Sequence, residues 1–192
     1  MIGDILVFLK NQLDAHLKAR ADEERGEPGG DKVVFVDGDK MDPIAFKLDA
    51  VSTLLINVEE ERILRSADPH GRVGEDGVRQ KVSPDIRLNL YILFVARFKQ
   101  YERAWLHLSR IIQYFQNHRT FDPQSAPELA DTVDHLVVEL VTLDFAEQNE
   151  VWNALRTTHL PSLLYRVRLL VFADHDAPRP STVGEKIMRI AP

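Results

Sequence analysis

From Asp85 to Lys99 the apolar residues Ile86, Leu88, Leu90, Ile92, Phe94 and Phe98 fall on alternate positions, and Arg87, Asn89, Tyr91, Arg97 and Lys99 stand between them. Successive side chains of a strand point to opposite faces, so this run is a long β-strand with one face on a core and a mixed face opposite. Such a strand needs neighbours. Ser52 to Arg62 mixes β-branched and apolar residues before it turns acidic. In Val133 to Leu143, Val133, Val137, Val141 and Leu143 share one side and Leu136, Val138 and Leu140 the other, which predicts a strand buried on both faces. After Pro161, Leu163, Tyr165, Val167, Leu169 and Val171 alternate against Leu164, Arg166, Arg168, Leu170 and Phe172. Val33 to Val36, stopped by Asp37-Gly38, reads as a short strand in a hairpin arm.

Three stretches carry the helical period. Ile2, Ile5, Leu6, Leu9, Leu13 and Leu17 predict an amphipathic helix over residues 2–20. Tyr101, Trp105, Leu108, Ile111, Ile112 and Phe115 predict a second over 101–118, covering the sheet, with His118 and Arg119 at the negative end of its dipole. Asp144 with Glu147 three residues later is a capping pair for a third, running to about Thr157 with Val151, Trp152 and Leu155 inward. Trp105 and Trp152 both read as core. The predicted class is α+β: a mixed β-sheet covered by two to three helices, with a β-hairpin arm and an extended C-terminal tail.

With 192 residues, 44% of them hydrophobic, one domain can bury a full core. Residues 1–173 are predicted to form it and 174–192, broken at Pro178 and Pro180, the tail. Ile187, Met188 and Ile190 have no core of their own there, so they are candidate contacts to a neighbour, with docking on their own domain equally allowed. Ser66 to Pro84, with Pro69, Gly71, Gly74, Gly77 and Pro84, reads as a long loop.

The formal net charge of −6 argues against nucleic acid as a partner. The charge is unevenly spread: residues 1–62 hold eight basic and fourteen acidic groups, 63–119 hold ten and five, and 120–173 hold three and eight. Folding either turns this into complementary faces or interleaves it away. The absence of Cys removes disulfides, thiol nucleophiles and Cys-ligated metal, and fits a reducing compartment. Asp4 interrupts the apolar start, unlike a signal peptide, and no run approaches the roughly 20 apolar residues of a membrane helix. A soluble chain without a membrane partner is expected.

No motif supports catalysis, a metal or a cofactor. The seven histidines lack metal-site spacing with a carboxylate, and Asp174-His175-Asp176 reads as a solvated turn in the tail. Gly71-x-x-Gly74-x-x-Gly77 lacks the Gly-Lys-Ser/Thr ending of a phosphate loop, and Ser162 has no flanking glycines to form a nucleophile elbow.

The most informative local feature is Asn57-Val58-Glu59-Glu60-Glu61-Arg62. If the strand persists, Glu59 and Glu61 share a face within about 7 Å, where like charges repel unless a cation or water relieves them. One reading is a charged strand end that blocks edge aggregation. Another is an intersubunit salt-bridge strip in which Arg166 and Arg168 pair with the carboxylates. A third is an intrachain ladder between the same groups.

Five stretches together resemble one family. Met1-Ile2-x-Asp4 leading into Phe8-Leu9, then Leu55-Ile56-Asn57-Val58-Glu59-Glu60-Glu61-Arg62, are similar to the start of the tail-terminator, or cap, proteins of extracellular contractile injection systems. Leu88-Asn89-Leu90-Tyr91-Ile92-Leu93-Phe94, Leu108-Ser109-Arg110-Ile111-Ile112-Gln113-Tyr114-Phe115-Gln116 and Leu160-Pro161-Ser162-Leu163-Leu164-Tyr165-Arg166-Val167-Arg168 resemble its recurring blocks. The likeness runs from residue 1 to about 172, omitting Ser66 to Pro84.

The resemblance implies a structural role without catalysis. It implies a homo-oligomeric, hexameric ring on the end of the inner tube that stops tube growth and ties tube protein to sheath protein. Assembly would be cytoplasmic, within a particle released from or retained in the cell. Candidate subunit or tube contacts are Asn57, Glu59, Glu60, Glu61, Arg62, Arg166 and Arg168; candidate sheath or neighbour contacts are Ile187, Met188 and Ile190. Two alternatives stay open: a small-molecule-binding or enzymatic domain with residues 66–84 as a lid, and a generic homo-oligomeric adaptor.

Overall fold

Helix α1 (Ile2–Glu23) buries the stripe its period predicts: Ile5, Leu9, Leu13 and Leu17 are no more than 1% exposed, and Phe8 joins them. A computed structural model describes residues 2–23, 30–40, 43–61, 72–73, 79–80, 86–129 and 133–171. After α1 come β1 (Val33–Phe35), β2 (Ala50–Glu60), β3 (Arg72–Val73), β4 (Arg79–Gln80), β5 (Ile86–Arg97), α2 (Tyr101–Asn117), β6 (Thr120–Phe121), β7 (Val133–Val141), α3 (Phe145–Ala154) and β8 (Ser162–Val171). Six strands form one sheet in the order β1-β2-β5-β8-β7-β6, with β1 parallel to β2 and every other pair antiparallel. The class is therefore α+β with a mixed sheet and three α-helices among the described residues.

Alternation in β5 builds two cores. Leu90, Ile92 and Phe94 point to the face covered by α1 and α2, where they meet Val51, Val167, Leu169, Leu136 and Val138. Leu93 and Val95 point the other way, into a smaller cluster with Phe46, Leu164 and Trp152 of α3. The face predicted as mixed is thus apolar at one end, and α3 covers that end alone. The cap of α3 is the predicted reciprocal pair: the Asp144 carboxylate accepts from the Glu147 N–H at 2.8 Å and Glu147 accepts from the Asp144 N–H at 3.0 Å. The helix stops at Ala154, earlier than expected, and Arg156 then takes the left-handed region at φ 52°.

Three expectations need correction. Val33 to Val36 is no hairpin arm: β1 pairs parallel with β2, and the buried Asp14 carboxylate, which accepts from the N–H groups of Lys32 at 2.7 Å and Val33 at 3.0 Å, anchors its start. A two-stranded antiparallel hairpin does exist, between β3 and β4, inside the stretch read as a loop. Strand β7 is not buried on both faces. Its outer neighbour β6 is two residues long, and past the Val138 N–H, which donates to the Arg119 carbonyl at 2.8 Å, Leu140 is 48% exposed.

Helix α2 also turns differently from its predicted stripe. Its inward stripe is Ala104, His107, Leu108, Ile111, Tyr114 and Phe115, whereas Trp105 is 51% and Tyr101 62% exposed. His107, fully buried, stacks on Phe98 at 4.4 Å and takes the inward place, which turns Trp105 out of the core. Trp152 is buried as predicted, its ring meeting Phe46 edge-on at 6.1 Å.

Candidate assembly surface

Beyond α3 the second face of the sheet is uncovered by any described helix and carries a polar ladder across four strands. A register shift between Leu55 and Asn57 of β2 inserts one residue against β5, so Asn57 pairs with Tyr91 and Glu59 with Asn89. Bulges re-aim the strand beyond them. Here the bulge puts Asn57, Glu59 and Glu61 on the uncovered face and sends Val58, 43% exposed, to the helix side. Glu59 and Glu61 share a face, as the alternation predicted.

Neutral side chains serve Glu59. Glu59 accepts from the Tyr91 hydroxyl at 2.9 Å and from the Asn57 amide at 3.1 Å, and Glu61 accepts from the Asn89 amide at 3.5 Å. Burial first, and the Glu59 carboxylate next, hold the Tyr91 pKa above the usual tyrosine value, so it remains a donor. Arg166 and Arg168 of β8 both turn to Glu139 of β7, at 2.8 and 2.7 Å. Their hydrogen bonds, Arg166 first, hold the Glu139 carboxyl below its usual range against the opposing pull of burial. The Nε atoms of both arginines and the Asn89 Oδ1 are buried without a hydrogen-bond partner among the described residues.

Two hollows open beside the ladder. A groove of about 610 Å³ runs between α3 and β2, walled by Ile44, Leu54, Ile56, Val151 and Leu155, with Asn57, Glu59 and Tyr91 at one end. A hollow of about 270 Å³ at the other end of the ladder is lined by Glu61, Arg87, Asn89, His135 and Arg168. Among the described residues no group of three or more His, Asp or Glu is placed to hold a metal ion, and no helix is long and apolar enough to cross a membrane.

Of the sequence-predicted site residues, Asn57, Glu59, Glu61, Arg166 and Arg168 lie on this face and Glu60, also exposed, turns to the opposite one. Arg62, Ile187, Met188 and Ile190, the tail 174–192 and most of 66–84 lie outside the described residues. Tyr91, Asn89 and Glu139 were not foreseen as members. The signal for Glu139 was its place as the single acid in the apolar run Leu136–Val141; the other two showed only as polar places in an alternating strand.

The sequence model of the Pvc16 N-terminal domain matches residues 4–185. Among solved structures, the chain is similar to the sheath/tube terminator, in the extended state, of the extracellular contractile injection system PVC. That likeness has a TM-score of 0.56 and 19% identity, covering 97% of this chain and 64% of that one. It is also similar to the tube-terminating cap of the anti-feeding prophage, with a TM-score of 0.50, 15% identity, and 74% and 49% coverage. The chain thus spans less than two thirds of the length of either. No curated protein matches it.

Proposed function

This chain belongs to the Pvc16 N-terminal domain family, and on that premise we propose that it is a non-enzymatic cap of a contractile injection system. In this reading, copies close into a hexameric ring on the end of the inner tube, end its growth and anchor the sheath, during assembly in the cytoplasm. The family resemblance read from the five sequence blocks supports it, and so does the solved fold it shares with two tube terminators. The observation that carries the reading is the extent of the family match, residues 4–185, which takes in the whole described sheet, α2, α3 and α1 from its third residue on.

The uncovered face is the surface we assign to assembly. Asn57, Glu59, Glu60, Glu61 and Arg62 form the outer end of β2 and the residues after it, where a neighbouring subunit or the last tube ring is met. Arg166 and Arg168 border the same face. Ile187, Met188 and Ile190 contact the sheath or a neighbour. A cap must bind the tube end without templating another layer, and a charged strand end favours docking over continued strand addition. The test is light scattering of the purified chain, then electron microscopy of tubes grown with it. A mass about six times the subunit's and shortened tubes are expected. A monomer that leaves tube length unchanged ends the proposal.

A further inference from the structure

The ladder leaves a question of partners. Arg166 and Arg168, which share the uncovered face with Glu59, are engaged by Glu139, and the described partners of Glu59 are a hydroxyl and an amide. Glu59 stands at the end of the 610 Å³ apolar groove, and among the described residues no basic one lines that groove. A cavity of about 300–1,000 Å³ encloses a drug-sized group, so this one has room for two aromatic rings.

On the opposite face, at the start of α2, stands a group with matching chemistry. Tyr101 and Trp105, one helical turn apart, meet edge-on at 5.5 Å, and Leu106 beside them is 37% exposed. Lys99 precedes the pair, and Arg103 lies over the Phe98 ring at 5.9 Å. The pair is more than half exposed, so it adds little to the fold of the subunit. Rigid exposed aromatics are the residues that anchor protein interfaces when they enter an apolar socket.

We infer that the Tyr101–Trp105 knob of one copy seats in the α3–β2 groove of the next, bringing Lys99 and Arg103 toward Glu59. This rests on the ring reading and names its contact. Knob and socket are different surfaces on opposite faces of the sheet, so the contact is head-to-tail. Repetition of such a contact closes into a ring when the rotation allows.

The test uses two variants of the full chain, Trp105→Ala to remove the knob and Ala154→Arg to fill the socket at an exposed, groove-lining position. Each alone is expected to assemble on the order of 30-fold more weakly than the parent, with an unchanged melting transition. Mixed in equal amounts they keep one intact knob and one intact socket, so sedimentation should show a dimer and nothing larger. Charge exchange gives an independent check: Lys99→Glu and Glu59→Lys should each weaken assembly, and the double variant should recover it. Variants that assemble like the parent overturn the knob-and-socket contact and leave the ring reading standing. A mixture that stays monomeric also overturns it. A parent chain that never assembles, even on tube ends, overturns both.

Discussion

The two faces of the sheet divide the work of the molecule. The face under α1 and α2 is mainly apolar where the helices cover it, with Leu13, Leu90, Ile92 and Ile111 fully buried, and turns acidic only at the far end of β2, at Glu60. The other face is apolar only beneath α3 and gives way to Glu59, Glu61, Tyr91, Asn89, Arg166, Arg168 and Glu139. A fully buried Leu, Ile or Phe side chain is worth about 1.5–3 kcal/mol, whereas an exposed ion pair gives about 0–1 kcal/mol. Stability therefore resides on the covered face, and the open face can keep a charge pattern suited to a neighbour at small cost to the fold. Separating the two jobs lets one change without the other.

Substitutions can break or sharpen that contrast. The largest effect is expected from Ile111→Ala on the covered face, a loss of about 2–5 kcal/mol in urea unfolding of the subunit. A loss under about 1 kcal/mol would refute the division. Asp14→Ala should cost about 1–3 kcal/mol, because it strands the Lys32 and Val33 N–H groups. Amide exchange should speed up first in β1.

On the open face, Glu139→Gln should cost about 1 kcal/mol near neutral pH, discounted because both arginines are more than a third exposed. The carboxyl is held below its usual value, so its contribution is complete above the ordinary glutamate range and is lost as pH falls through the lowered value. Unfolding curves of parent and variant should converge on acidification from pH 7 toward about 3. The smallest effect on the subunit, within about 0.5 kcal/mol, is expected for Glu59→Lys with Glu61→Lys. The same pair should weaken assembly far more than folding. Equal loss of subunit melting temperature would mean that the ladder is a folding element.

Most of the scaffold is legible in the chain because burial imposes a period. Alternation along β5, the stripe of α1 and the Asp144–Glu147 cap all reappear in space, since each depends on neighbours a few residues away. Failures cluster where a distant residue settled a local choice. Whether α2 turns Trp105 or His107 inward depends on Phe98, and residues 104, 107, 108, 111, 114 and 115 formed an equally good stripe. Nothing in the apolar stripe of α1 marks Asp14 as a buried acceptor; it becomes one because β1 brings two N–H groups to it. That bond anchors the start of β1, and its parallel ladder with β2, in which the Val51 N–H donates to the Lys32 carbonyl at 2.8 Å, was marked by no turn signal.

The candidate surface was half readable. Same-face placement of Glu59 and Glu61 follows from a period of two, and the amino-acid order alone secures it along with the α+β class and the family blocks. It does not secure which strands become neighbours. Strand order puts β5 between β2 and β8, so Tyr91 and Asn89 meet the acids while Arg166 and Arg168 are turned to Glu139. Periodicity is a property of consecutive residues and survives in the bare sequence. Partner choice is decided by which segments, tens of residues apart, can bury apolar area together, and that decision is made only when the chain closes on itself.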